Sequence, residues 1–177
     1  NEQQTKAAAD RLIRHIRAAV AELALRLDGA LVLTEAASGF YAASALIAAA
    51  AGASVFALGR DSAHGTFNQT CQFIAGCRQA MGIDPRAITF VGHRIDVPRG
   101  LDIVTNSGLV RPVDRQLIER MNDDAVVTFM YESWELRSSD IDIEECRRRH
   151  VAVVAHHEDF ESGHVFSSCG ALAVKLC

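Results

Sequence analysis

Polar and titratable residues collect directly behind short apolar runs in this chain. Glu35 follows 30–34, Arg60 and Asp61 follow 54–58, and His93 and Arg94 follow 87–91. Asn106 and Ser107 follow 102–105, Tyr131 and Glu132 follow 125–130, and His156, His157 and Glu158 follow 151–155. If the runs are strands of one open parallel sheet, these groups share its carboxyl edge, where ligands sit near the reversal of strand order. The turn Ala36-Ala37-Ser38-Gly39 has side chains small enough for a phosphate to approach the backbone N–H groups at a helix start. It is not a GxGxxG fingerprint: only Gly39 is present, and Glu35 would place a carboxylate beside any pyrophosphate. Behind the second run, Gly59-Arg60-Asp61-Ser62 offers an arginine and no acid directly at the strand end, which suits the 2′-phosphate of NADP better than the ribose diol of NAD. Asn106, Ser107 and Gly108 would lie under the nicotinamide ribose, and His157 or Glu132 would serve as the proton-transfer group that hydride chemistry at a hydroxyl requires.

Each of these features also has a plainer reading. Small residues at 36–39 also permit close helix-to-strand packing, and Arg60 and Asp61 also suit a solvated loop end. His156, His157, Glu158, Asp159, Glu161 and His164 carry metal-ligand chemistry, but their spacing matches no recognised metal motif and no metal is assigned. Trp134, flanked by Glu132 and Glu135, is an anchoring aromatic or the neighbour of a carboxyl with a raised pKa. Cys71, Cys77 and Cys146 fall on apolar helix faces and read as core.

The elements that position these groups follow from periodicity. Leu12, Ile16, Val20, Leu23 and Leu27 predict one amphipathic helix over 4–27, ending before Asp28-Gly29. Strand 30–34, a tight turn, Ala-rich helix 40–51 and strand 54–58 make a βαβ unit. Thr66 and Gln69 form a capping box for helix 67–81, whose apolar face is Phe67, Cys71, Ile74, Cys77 and Met81. Strands 87–91 and 102–105 follow, then a helix over 112–121 opened by Pro112, strand 125–130, helix 142–149 with Asp142 and Glu145 as a second capping box, strand 151–155, and a last helix over 165–176. Continuous rather than alternating apolarity marks strands buried on both faces. The expectation is an α/β fold, a doubly wound parallel six-stranded Rossmann-like sheet, with a lead-in helix at 1–28 and the nucleotide-binding domain at 29–177.

The composition agrees. The chain has 177 residues, 49% of them hydrophobic, enough for one domain with a core. With 18 basic and 22 acidic residues, its net charge of −4 provides no field to hold nucleic acid. Five scattered cysteines without a CxxC pair argue for a reducing cytoplasm, and no run approaches the roughly 20 apolar residues of a membrane span. The start at Asn1, without methionine or a signal-peptide pattern, reads as a trimmed start with residues upstream.

From Leu101 onward, Asp102-Ile103-Val104-Thr105-Asn106, 112–121, 125–130 and 151–157 resemble the second half of the nucleotide-binding domain of D-2-hydroxyacid dehydrogenases, and the lead-in helix resembles the one that precedes it. The resemblance rests on element order and implies an NAD(P)-dependent oxidoreductase acting on a small carbonyl or hydroxy substrate. It implies three glycines in the first turn, a catalytic Arg behind the fifth strand and a catalytic His behind the sixth; this chain has Gly39 alone, Glu132 and His157 at those places. It also implies a substrate domain, for which 177 residues leave no room, so a partner chain, a dimer mate or further residues would complete the cleft. Apolar surface on the lead-in helix and on 165–176 predicts self-association. Two other readings stay open: a non-catalytic nucleotide-binding or scaffold protein, and an S-adenosylmethionine-dependent transferase with Glu35 or Asp61 on a ribose. The orientation of Glu35, into the phosphate position or away and paired to Arg94, separates the dinucleotide from the transferase.

Overall fold

The structure, a computed structural model, describes residues 2–63 and 65–156. Six strands form one sheet: β1 (Leu31–Glu35), β2 (Ser54–Leu58), β3 (Ile88–Val91), β4 (Leu101–Thr105), β5 (Met121–Glu132) and β6 (Ala152–His156). Every pairing is parallel, and the order is β3-β2-β1-β4-β5-β6, so strand order reverses between β1 and β4. This is the doubly wound Rossmann-like arrangement expected from the runs of apolar residues.

Side chains alternate between the two faces of the sheet. Val32, Val55 and Ala57 pack with Leu12, Ile16, Leu46 and Ile74 under α1 (Glu2–Glu22), α2 (Ala43–Ala50) and α3 (Phe67–Met81). Leu33, Leu58, Val104 and Val127 pack with Leu117, Ile118 and Cys146 under α4 (Arg115–Ile118) and α5 (Ile143–Arg148). Glu35 extends the Leu33 face and Thr34 the Val32 face.

At three places element boundaries differ from expectation because tertiary contacts take residues away from local helices. The first helix ends at Glu22, not at 27: Ala24 turns to φ 45°, and Leu27 N–H donates to Ala51 O at 2.7 Å, tying the entry of β1 to the end of α2. Leu23, placed on the apolar stripe by periodicity, is 72% exposed as a result. Pro112 does not open a helix. Val113 is bridged to Ile141, and Asp114 caps α4 by accepting from Leu117 N–H at 3.0 Å. Strand β5 starts at Met121, which pairs with Leu101 ahead of a register shift.

The capping box of α3 is formed in both directions: Gln69 N–H donates to Thr66 Oγ1 at 3.2 Å, and Thr66 N–H donates to Gln69 Oε1 at 2.9 Å. For α5 only half forms. Asp142 accepts from Glu145 N–H at 3.0 Å, while the Glu145 carboxylate turns to Arg148. The expected last helix at 165–176 lies outside the described residues.

Candidate functional site

The ladder between β1 and β4 is short. Val32 pairs with Ile103 and Leu33 with Val104, whereas β1 pairs with β2 along its whole length. Beyond Val104 the two strands are joined by side chains: Thr105 Oγ1 donates to Thr34 Oγ1 at 2.8 Å and lies 3.3 Å from Ser107 Oγ. The sheet therefore opens at the reversal of strand order, as a doubly wound sheet requires.

A cavity of about 420 Å³ occupies this opening. Its walls include Glu35, Ala36, Ala37 and Ser38 of the first turn, Arg60 and Ser62 behind β2, Thr70 of α3, Gly108 and Leu109 behind β4, and Tyr131 near the end of β5. Among the residues that sequence reasoning selected, Ala36, Ala37, Ser38, Arg60, Ser62 and Gly108 are brought together here. Gly39 adjoins them at φ +59°, a left-handed conformation that glycine adopts without steric cost. It starts a 3₁₀ turn, Gly39–Ala42, that leads into α2. Ser38 makes no side-chain cap there, whereas α3, α4 and α5 are capped by Thr66, Asp114 and Asp142. The first N–H groups behind β1 are thus left without a side-chain partner.

Other selected residues are placed elsewhere. Asp61 turns toward α3, where one of its carboxylate oxygens accepts from Phe67 N–H at 2.7 Å, and it is not among the residues lining the cavity. Asn106 and Ser107 lie beneath the cavity wall rather than on it. Asn106 is fully buried, and neither its Nδ2 nor its Oδ1 has a hydrogen-bond partner among the described residues. Glu132 ends β5, paired with His156 of β6. His157 and the histidine and acid cluster that follows it lie outside the described residues.

Glu35 resolves the orientation question. Its carboxylate lies on the cavity wall and accepts from Leu109 N–H at 3.1 Å, spanning the opening from β1 to the loop behind β4. It does not pair with Arg94, which instead bonds Asp114 at 2.9 Å because that acid caps the neighbouring helix α4. Arg60 is exposed and has no hydrogen-bond or ion-pair partner among the described residues.

Among the described residues, the cysteines Cys71, Cys77 and Cys146 are not poised as nucleophiles. Burial raises the pKa of Cys71 and Cys77, the latter also through Asp10, and burial pushes Cys146 up to about 11, helped by Asp142 and Glu145. Among the described residues no group of three His, Cys, Asp or Glu could hold a metal ion, and no helix is long and apolar enough to cross a membrane.

Sequence reasoning placed Tyr131 at a strand end but gave it no role, and it missed Thr70 and Leu109. Leu109 contributes through a backbone N–H, for which no side chain gives a signal, and Thr70 sits inside a helix whose capping signal lies four residues earlier.

No protein-family model matches this chain, and no curated protein matches it. Among solved structures, CurA in complex with NADPH from Vibrio vulnificus is 14% identical, with 91% of this chain and 50% of that chain covered at a TM-score of 0.49. A putative alcohol dehydrogenase from Sinorhizobium meliloti 1021 is 16% identical, with 85% and 38% covered at 0.44. The yhdH oxidoreductase from Salmonella enterica in complex with NADP is 15% identical, with 84% and 43% covered at 0.43. This chain spans half or less of the length of each of them, and its own strand pairing, seen directly, is what establishes the Rossmann-like fold.

Proposed function

We propose that the cavity between β1 and β4 binds a nicotinamide adenine dinucleotide, NADP in preference to NAD, and that the chain is an oxidoreductase or the cofactor-binding domain of one. The observation that carries this reading is the convergence of the small-residue turn 36–38, Arg60 with Ser62, and Gly108 on a single cavity at the reversal of strand order. Arg60, exposed and unpaired, would hold the 2′-phosphate; the uncapped N–H groups behind Ser38 would meet the pyrophosphate; Gly108 would allow the nicotinamide ribose to approach the backbone. The cofactor supplies hydride. The accompanying proton at a substrate hydroxyl falls to Glu132, at the end of β5, or His157, just behind β6. Of the cavity groups Glu35 fits least well, because its carboxylate stands where a pyrophosphate needs donors.

That carboxylate favours a second reading, an adenosine ligand without pyrophosphate such as S-adenosylmethionine, whose ribose hydroxyls could donate to Glu35. A scaffold that binds nucleotide without turnover shares the same cavity. Self-association belongs to the proposal as well: Tyr41, 76% exposed on the cavity wall, leaves a face for a second copy or a partner chain.

Thermal unfolding with saturating NADP(H), NAD(H) or S-adenosylmethionine tests these readings, since a ligand that binds only the folded state must raise the midpoint. A rise with NADPH that exceeds the rise with NADH supports the proposal. A rise with S-adenosylmethionine alone replaces it with the transferase, and no rise with any of them removes all three ligands.

A further inference from the structure

Asn106 holds an amide in a place built for an apolar side chain. Its backbone N–H donates to Thr128 O at 2.9 Å, which carries the β4–β5 ladder one step past the Thr105–Thr128 pair and puts Asn106 on the face of Leu33 and Val104. Leu33, Val104 and Val127 are fully buried on that face, and Asn106 is 0% exposed. A carboxamide carries two N–H donors and two acceptor lone pairs. Of the four buried side-chain polar atoms without a partner among the described residues, two are the Nδ2 and Oδ1 of Asn106. For the fold alone an apolar side chain of the same shape serves better, because it has no hydrogen bonds to lose. Buried polar groups are otherwise satisfied, so an amide left unmet by the chain points to a partner from outside it.

The chain runs from Asn106 directly into the turn that walls the switch-point cavity. Val110 N–H and Arg111 N–H both donate to Ser107 O, at 3.2 and 2.9 Å, so 107–111 is one compact turn, tied to β1 by the bond from Leu109 N–H to Glu35 Oε2. Above Gly108 there is room, since a Cβ there would meet only Glu35 Oε2, at 3.6 Å. In the order β2, β1, β4 this turn stands across the reversal from Arg60, so a dinucleotide held by Arg60 brings its nicotinamide half here. We propose that Asn106 recognises the carboxamide of the nicotinamide ring, its Nδ2–H donating to the ligand carbonyl and its Oδ1 accepting from the ligand amide N–H. This assignment rests on the dinucleotide reading of the cavity and adds to it a residue that fixes the ring. Two amides pair through two parallel hydrogen bonds, which meets both the donor and the acceptor that the chain leaves unmet. The ligand reaches Asn106 by displacing the single bond between Glu35 and Leu109, which frees the turn from β1.

Isothermal titration with three ligands tests the proposal: NADP, its 3-acetylpyridine analogue, in which a methyl ketone replaces the amide, and 2′-phospho-ADP-ribose, which lacks the ring but keeps both riboses. The ketone accepts from Nδ2 and gives Oδ1 nothing, so wild type should bind NADP at least about tenfold more tightly than the analogue. In Asn106→Leu and Asn106→Ala that preference should vanish, NADP should lose about tenfold or more, and 2′-phospho-ADP-ribose should bind as in wild type. Without ligand, the thermal midpoint of Asn106→Leu should equal or exceed that of wild type, because the variant buries no unmet amide. Equal wild-type affinity for NADP and the analogue, a preference that survives in Asn106→Ala, or an equal loss of 2′-phospho-ADP-ribose in that variant would overturn the proposal. So would a lowered midpoint in Asn106→Leu, which would assign the amide to the fold. Binding of 2′-phospho-ADP-ribose without any preference for the amide removes Asn106 from recognition and keeps the dinucleotide; no binding of any of the three removes both.

Discussion

Gly59 ends its run of buried residues one position before Arg60, and space rather than backbone conformation demands a glycine there. A Cβ at this position would stand 2.2 Å from Cε2 and 2.4 Å from Cδ2 of Phe67, and 3.1 Å from the Cβ of Ala36. Carbon atoms pack best at about 3.5 to 4.0 Å, so in Gly59→Ala the ring must retreat by about 1.1 to 1.8 Å. The ring has little freedom to do so. Phe67 opens α3, its N–H is held by Asp61 at 2.7 Å, and its side chain packs against the core under α2. Overpacking of this kind costs about 1 to 3 kcal/mol. For a chain of this size that lowers the thermal midpoint by about 2 to 12 °C. The same movement pushes on Ala36 and on the segment that carries Arg60, so NADPH affinity should fall along with stability. Urea unfolding of Gly59→Ala, Phe67→Ala and the double variant forms a cycle in which truncating the ring removes the clash. The double variant should therefore be more stable than the sum of the single losses. A wild-type midpoint in Gly59→Ala, or strict additivity in the cycle, would refute the reasoning.

Other outcomes follow from single groups. Arg60→Ala should weaken NADPH binding about tenfold or more and leave NADH binding close to wild type, as read by titration calorimetry; equal losses for both would move the 2′-phosphate elsewhere. Glu35→Gln keeps an acceptor for Leu109 N–H but removes the charge, so NADPH should bind more tightly and S-adenosylmethionine no better; measured affinities that move the other way would place the phosphates away from β1. Cys146, held at about 11 against an ordinary 9.0 by burial first, binds its proton more tightly when folded, so its contribution to stability is complete below pH 9 and is lost as pH rises from about 9 to 11. Cys146→Ala should flatten that alkaline limb in urea titrations. The Glu145 carboxyl is held below its usual range chiefly by its hydrogen bonds to Arg148, so its contribution is present above the ordinary glutamate pKa and fades as pH falls through the lowered one; Glu145→Gln should reduce acid sensitivity between those values.

The sheet was legible because its information is local. Strand 54–58 and helix 67–81 occur where the apolar run and the Thr66 capping box put them. Both depend on neighbours within a few residues, and short-range chemistry is what a sequence displays. Boundaries failed where distant backbone decided. Leu27 leaves its helix for a bond to Ala51, and Val113 leaves the expected helix for a bridge to Ile141. A proline at a favoured helix-start position lost to an aspartate two residues on, because Asp114 can satisfy an orphan N–H and Pro112 cannot.

The candidate site divides along the same line. Positions behind strands could be counted off, and the topology brings the small-residue turn, Arg60, Ser62 and Gly108 onto one cavity. Whether a polar residue at a strand end faces the cavity depends on the pleat and on what lies beside it. Asp61 is drawn off by the start of α3, and Asn106 continues the face of Leu33 and Val104 into the interior. Glu35 lies on that same face, yet it reaches the cavity because β1 and β4 separate just beyond Val104 and leave Leu109 N–H in need of an acceptor. One carboxylate therefore does two things at the mouth of the crevice: it joins the two halves of the doubly wound sheet, and it sets the charge that any ligand there must meet. Those roles separate in Glu35→Gln, which retains the first and removes the second, so the difference in ligand preference between that variant and wild type measures the electrostatic part alone.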